Sequence, residues 1–322
     1  MKILITGASG FIGKNLRLYL SKKNHQIIGV DRKADPNGLL DVSLIDLSSN
    51  KEHELPALMK DCDLVIHCAG KADVQYSHLQ KKEQFDDNLV STQTVLDCMV
   101  QAEVKNIIFL STAVVNGTGH LYFCANTGNY EPYITEEGDT GDPISMYATT
   151  KKMAEQLIRG YSKNFGLRSL IIRLENIAGP HYSHGVVLDF INKLKKDPSK
   201  LKVMGNGQQR KAFLHVKDLC SIIDTLSKEI LFKMVPGDPS EIFNVGNLNW
   251  IFVSEIAGIV CDEMNLSPEI SYGSETGGFK GDVPIILMSK NKMLSFCKKP
   301  KLSSRQAVRD TARWIINDQK KK

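Results

Sequence analysis

Tyr147 and Lys151 stand four residues apart in the run MYATTKKMAEQLIRGYSKNFG, whose apolar spacing predicts a helix over 146–166 that stops at Gly166. Residues i and i+4 share a helix face, which brings the phenol and the ammonium together. Tyrosine is a poor base at neutral pH because its ordinary pKa is about 10. A neighbouring cation stabilises the phenolate and draws that value down. A phenolate so placed can take the proton of a hydroxyl while hydride leaves the same carbon. Ser111 and Thr112 follow the apolar run of 106–110, and a hydroxyl at such a strand end can bridge a substrate oxygen and Tyr147. Taken alone, Y-x-x-x-K is a common spacing that more often describes a surface pair; the surrounding elements must give it meaning.

The strongest local pattern is TGASGFIG at 6–13, lying between a predicted strand, KILIT, and a predicted helix, FIGKNLRLYLSKK. A helix N-terminus offers free N–H groups and the positive end of the helix dipole to an anion such as a pyrophosphate. Gly7 and Gly10 supply the turn and the clearance that side chains would block. Phe11 and Ile12 open the helix, and Gly13 lets it pack closely on the strand. The spacing G-x-x-G-x-x-G differs by one residue from the commoner dinucleotide fingerprint. Asp31 ends the second strand, about 20 residues on, where a carboxylate accepts from ribose hydroxyls. It would repel a 2′-phosphate, which favours NAD, whereas its neighbour Arg32 could pair with one and so points to NADP.

Strand-like QIIGV (26–30), VSLI (42–45), DLVIHCA (63–69), NIIFLS (106–111) and SLIIRL (169–174) alternate with helical stretches, including a long helix over 85–103. That alternation predicts an α/β fold, a doubly wound, Rossmann-like parallel sheet with its ligand crevice at the strands' C-terminal ends. Residues 1–175 form the expected dinucleotide-binding domain, with 213–245 returning to it. Residues 176–212 and 246–322 form a smaller α/β lobe for the substrate. Residues 118–142 read as a long loop. The chain of 322 residues is 42% hydrophobic and 24% charged, an ordinary globular composition. Its charge of +5 is too small to suggest a nucleic-acid partner. No run reaches the length of a membrane span, and no signal peptide opens the chain, which points to the cytoplasm. Seven cysteines without a C-x-x-C pair argue against a disulfide framework or a cysteine-rich zinc site. His181 and His184 lack a third ligand at metal spacing, so no metal site is expected. His67, inside an apolar strand, reads as a packed core histidine.

The colinear set TGASGFIG, Asp31, Asp46-Leu47, VIHCAG (65–70), Asn88, FLSTAVVNG (109–117), YATTK, RLENIAGP (173–180), GNGQQRKAFLHVKD (205–218), FNVGN (243–247) and GDVP (281–284) resembles the extended short-chain dehydrogenase/reductase family. Within it, the chain is most like the NAD-dependent sugar-nucleotide epimerase/dehydratase group and its UDP-galactose 4-epimerases. The resemblance implies that Asp46 and Leu47 hold the adenine, that Ala69 and Gly70 lie beside the pyrophosphate and ribose, and that Asn88 buttresses the cofactor site. It makes Tyr147 the general base, Lys151 its partner and a ribose ligand, and Thr112 the catalytic hydroxyl. It places Asn176 and Arg210 on the substrate diphosphate, Val187 near the nucleotide base and Asp282 on the nucleotide ribose. Homodimerisation through 85–103 and 146–164 is implied as well.

Departures from the family pattern narrow the reading. Ala113-Val114 follow Thr112 where 4,6-dehydratases carry an Asp-Glu pair, which argues against water elimination. Leu174-Glu175 replace a pattern that is often aromatic. Lys280 stands near the place of a second diphosphate-binding arginine. The implied activity is an NAD-dependent inversion of C4 in a nucleoside-diphosphate hexose, with UDP as the expected carrier, through a 4-keto sugar. The alternatives are an NADPH-dependent 4-ketosugar reductase, for which Arg32 speaks, and a catalytically silent nucleotide-binding or redox-sensing protein.

Overall fold

Strand residues with apolar side chains on both faces require a layer on each side, and the computed structural model shows that arrangement. It describes residues 1–35, 38, 41–49, 54–117, 121–124, 129–132, 134–139, 141–235 and 240–319. In chain order the first half comprises β1 (Lys2–Thr6), α1 (Phe11–Ser21), β2 (Gln26–Asp31), β3 (Ser43–Leu44), α2 (Leu55–Met59) and β4 (Leu64–His67). There follow α3 (Lys81–Phe85), a π-helical turn (Asp86–Val90), α4 (Ser91–Gln101), β5 (Asn106–Thr112), β6 (Leu121–Cys124), β7 (Asn129–Pro132), α5 (Met146–Phe165) and β8 (Arg168–Leu174). The remainder is β9 (Asn176–Ala178), α6 (Val186–Lys196), β10 (Lys200–Val203), β11 (Arg210–Lys211), β12 (Phe213–His215), α7 (Val216–Glu229) and β13 (Glu241–Val245). The chain closes with β14 (Ile251–Phe252), α8 (Val253–Met264), β15 (Glu269–Tyr272), α9 (Asn291–Phe296) and α10 (Ser304–Gln319).

Seven parallel strands form one sheet in the order β13-β8-β5-β4-β1-β2-β3. Alternate side chains go to opposite faces. Ile3 and Ile5 of β1, Ile108 and Leu110 of β5 and Phe243 of β13 pack with α1 and α7. Leu4, Ile107, Phe109 and Ile171 pack with Val95, Leu96 and Met99 of α4 and Ile158 of α5. A third cluster joins Phe190 and Leu194 of α6, Ile256 and Val260 of α8 and Val308 and Ile315 of α10. The segment after β9 crosses between these bodies: Phe213 lies in the third core, whereas Leu214, α7 and β13 pack with the main sheet.

The structure refines the sequence reading in two places. The helix expected over 85–103 starts at Lys81, ends at Gln101 and carries the π-helical turn. The segment read as a loop over 118–142 contains an antiparallel pair, β6 with β7, four residues each; strands this short leave too little alternation to read. Residues 118–120, 125–128, 133 and 140 of that segment, and the Lys320–Lys322 tail, lie outside the described residues. The two ends of the excursion touch. A Cβ on Gly141 would lie 1.8 Å from Asn116 O, and one on Gly117, at φ +77°, 2.3 Å from Asp142 O. Glycine is required where two backbones approach so closely.

Candidate active site

The strand order reverses direction between β1 and β4, and that switch point is where an open α/β sheet takes its ligand. Gly7 leaves β1 at φ +64°, and a Cβ on it would sit 2.7 Å from Ala69 N. A Cβ on Gly13 would sit 2.1 Å from Gly7 O, so α1 could not start where it does with any other residue there. Gly10 is the N-cap of α1 without a side-chain cap, and its first turn carries no acid. The N–H groups that open a helix have no intrahelical acceptor. This end of α1 therefore suits an anion, and the glycines leave the space for one. Asp31 is held at the same turn: its carboxylate accepts from Ser9 N and from Lys33 N, both at 3.0 Å. The residues present fit a dinucleotide.

The walls of the crevice are tied together by buried polar contacts. Asn88 sits on the π-helical turn, a feature found often at functional sites. Its Oδ1 accepts from Lys71 N at 2.9 Å, and its Nδ2 donates to Thr150 Oγ1 at 3.1 Å, joining the strap after β4 to α5. Gly70, at φ +153°, leaves room for that amide; a Cβ would meet Asn88 Oδ1 at 2.7 Å. His67 is fully buried between Thr6 and Thr92, at 2.7 and 3.0 Å, and burial pushes its pKa down to about 3. It is a structural histidine, as its apolar strand suggested.

Ser145 caps α5, its Oγ accepting from Ala148 N at 3.2 Å, and this sets the direction in which Tyr147 and Lys151 leave the helix. The Thr112 side chain lies beside the Tyr147 hydroxyl, where it favours the phenolate. Lys151 is 5% exposed, and its ammonium lies 3.9 Å over the Phe109 ring. Desolvation pulls the lysine pKa down to about 7. In the protein alone, burial pushes Tyr147 up to about 12, with Thr112 opposing the shift. The cost of burying a phenolate there exceeds what Thr112 returns, and the downward shift expected of Tyr147 calls for the positive charge of a bound cofactor in addition to that of Lys151.

These glycines, carboxylates and hydroxyls are held at one edge of a doubly wound sheet, and a family model for NAD dependent epimerase/dehydratase proteins matches residues 3–246. The chain belongs to the NAD dependent epimerase/dehydratase family. Among relatives of this epimerase/dehydratase chain, a putative UDP-glucose 4-epimerase of Methanocaldococcus jannaschii is 26% identical over 325 residues, 98% of this chain and 99% of that protein. A dTDP-D-glucose 4,6-dehydratase of Dictyostelium discoideum is 28% identical over 267 residues; the match takes in 76% of this chain and spans only 58% of the Dictyostelium protein. The crystal structure of a UDP-galactose 4-epimerase superposes with a TM-score of 0.85 at 28% identity, covering 99% of each chain.

The residues that the resemblance assigns to substrate fall on the second part of the epimerase/dehydratase chain. Asn176 donates to Ala212 O at 3.1 Å, Arg210 N donates to Pro284 O at 2.9 Å, and Lys211 pairs with Asp282 at 2.7 Å, so 176, 210–212 and 282–284 form one ribbon. The Arg210 guanidinium lies 4.7 Å over the Trp250 ring. Both oxygens of Asp282 are engaged, one by Lys211 and the other by Gly278 N. The Val187 side chain is wholly buried in the third core, so only its backbone is left to meet a ligand. Asp46 is exposed and accepts from Ser48, whereas the Leu47 side chain belongs to the core beneath β2. Lys280 and Gly281 face Ser77, His78, Ser145 and Thr149 across a cavity of about 290 Å³ at the start of α5. Among the described residues no helix is long and apolar enough to cross a membrane, and no group of three or more metal-ligating side chains gathers.

Four contacts escaped the sequence reading. Ser111, offered there as a bridging hydroxyl, instead donates to Glu155 at 2.5 Å. Glu155 holds Arg173 at 2.8 Å, with side chains 1% and 6% exposed, which clamps α5 onto β8. Glu155 lies one turn beyond Lys151, and that i, i+4 spacing was the available signal. Phe11 of the glycine turn packs edge-on against Tyr182, with ring centroids 5.5 Å apart. Arg32 is spread over the Asp87 carboxylate, at 2.8 and 3.0 Å. Removing one member of a buried pair leaves a stranded charge. Glu155→Ala should therefore lower unfolding stability by about 3–5 kcal/mol, measured by urea titration. Glu155→Leu combined with Arg173→Met should cost less than Glu155→Ala alone, and a single-variant loss under about 1 kcal/mol would contradict the clamp.

Proposed function

We propose that this protein is an NAD-dependent epimerase that inverts C4 of a nucleoside-diphosphate hexose, with UDP as carrier. The observation carrying the reading is the placement of Tyr147 beside Thr112, at the end of β5 and on the same sheet edge as the glycine turn, with Lys151 one helical turn away. NAD, when bound, supplies the acceptor and donor of hydride at the sugar carbon. Gly7, Gly10 and Gly13 would receive its pyrophosphate on the α1 N-terminus, and Asp31 its ribose hydroxyls. Thr112 and Tyr147 hold the C4 hydroxyl, and the Tyr147 oxygen takes its proton as the carbonyl forms. Positive charge must gather beside Tyr147 before its phenol ionises, and Lys151 is this chain's contribution. The 4-keto sugar turns over while Asn176 and the Arg210–Lys211 ribbon keep its diphosphate anchored. Tyr147 then returns its proton on the other face.

Ala113 and Val114, which follow Thr112, carry no acid or base, so a route through loss of water has no group to serve it there. Arg32, the feature that favoured an NADPH-dependent reductase, is occupied by Asp87. The same reading has two copies pair across α4 and α5, beside which Phe85, Met153 and Phe165 are 41%, 42% and 46% exposed. Mass spectrometry of dinucleotide released from the purified protein, then NMR of UDP-glucose and UDP-N-acetylglucosamine incubated with it, tests the proposal. Bound NAD with inversion at C4 of either sugar is expected. A 4-keto-6-deoxy product, or turnover only with added NADPH, would overturn it.

A further inference from the structure

Arg32 follows Asp31 at the end of β2, beside the expected ribose of a bound dinucleotide. An arginine there is the natural ligand for a 2′-phosphate because its fork matches phosphate oxygens. In this chain one edge of the fork is taken. Nη1 and Nη2 reach the two carboxylate oxygens of Asp87 at 2.8 and 3.0 Å, and the Asp87 side chain is 11% exposed.

Asp87 is rigidly placed. It sits in the π-helical turn one residue before Asn88, whose Oδ1 is fixed by Lys71 N, and its carbonyl accepts from Ser91 Oγ. The carboxylates of Asp31 and Asp46 also bear on Arg32 and, like Asp87, hold its guanidinium in the charged form. The pocket edge thus presents three carboxylates against Arg32 and the exposed Lys33. A 2′-phosphate brings about two further negative charges at neutral pH. A 2′-phosphate that pairs with the Nη1–Nη2 edge must displace Asp87, leaving that carboxylate half-buried and unpaired, and one at the remaining edge meets a guanidinium whose charge Asp87 already offsets.

We propose that Asp87 sets dinucleotide choice in this protein: by occupying Arg32 it turns a potential 2′-phosphate ligand into a neutral pair and reserves the site for a ribose with a free 2′-hydroxyl. Asp87 makes no assigned contact with the dinucleotide and acts through Arg32, so it is a positioning residue. The inference rests on the dinucleotide reading of the glycine turn given under the proposed function.

Calorimetric titration of NAD and NADP into the protein freed of nucleotide tests it without recourse to turnover. Wild-type protein should bind NAD and discriminate against NADP. Asp87→Asn keeps the shape and removes the charge, and it should lower the ratio Kd(NADP)/Kd(NAD) by about 10- to 100-fold, the range that charged hydrogen bonds span. Adding Arg32→Ala to that variant should restore the wild-type ratio, because the gain runs through the freed guanidinium. Retained NAD binding reports that each variant is folded. Wild-type protein that binds neither nucleotide would overturn the dinucleotide reading itself. Wild-type protein that binds NAD, with an unchanged ratio in Asp87→Asn or a gain that survives Arg32→Ala, would overturn the role of Asp87 alone.

Discussion

Tyr147→Phe should lose about 10²-fold or more in turnover of the nucleotide sugar while still holding the dinucleotide. The substitution removes one oxygen from a ring that is otherwise packed in place, so the backbone of α5 and the Ser145 cap have no reason to move. Thr112 loses the neighbouring hydroxyl, and the phenylalanine ring has no atom that can take the proton. Burial has already raised the Tyr147 pKa to about 12, so the wild-type protein keeps a neutral phenol until positive charge collects beside it. Turnover should therefore climb with pH on the acidic side in wild type, and Tyr147→Phe should lack that limb in whatever residual rate survives. Steady-state rates across pH 5–9, read beside dinucleotide content, decide the matter. A variant within about threefold of wild type would remove Tyr147 from the role of base.

Lys151→Met should show opposite signs in activity and stability. Turnover should fall by about 10²-fold or more, because the cation that lowers the phenol's pKa is gone. The nucleotide-free protein, however, should melt about 2–5 °C higher near pH 7. Lys151 is 5% exposed, and desolvation pulls its pKa from 10.5 to about 7. The charge of Glu155 is already met by Arg173, so Lys151 is not needed as its counter-ion. Contact with the Phe109 ring offsets only part of the desolvation cost. The sign with pH follows from the depressed value. Between about 7 and 10.5 the unfolded chain binds the proton and the folded protein does not, so wild-type stability gains with rising pH across that window. Below it the folded protein carries the full burden of a buried ammonium. The melting difference between Lys151→Met and wild type should be largest near pH 6–7 and shrink toward pH 10. A variant that melts lower at pH 7, or a difference indifferent to pH, would contradict the assignment.

Stabilisation on losing a site residue is common where function requires a buried charge in a place that packing alone would not choose. Here the positions least tolerant of substitution or of packing's preferences cluster at the sheet edge that bears the site. They are the close approach of Gly7 to Ala69, the positive φ of Gly70 under Asn88, and the dry lysine over Phe109. The rest of α5 is conventional, running from a serine cap to a left-handed Gly166.

Much of this was legible in the residues themselves. The glycine turn is encoded locally, because a strand, a turn lacking side chains and a helix follow one another within a dozen residues. The Tyr147–Lys151 pairing is a consequence of helix geometry, and the parallel sheet follows from short apolar runs alternating with amphipathic ones. What only the tertiary structure decided are the partnerships between residues distant in sequence, and their burial. Glu155 and Arg173 are 18 residues apart, Arg32 and Asp87 are 55, and Lys211 and Asp282 are 71. Each depends on strand order and on which helix crosses which strand, and neither residue type nor spacing records that. The direction in which Tyr147 and Lys151 shift depends on how much water the surrounding layers exclude, and only the packed sheet and helices establish it.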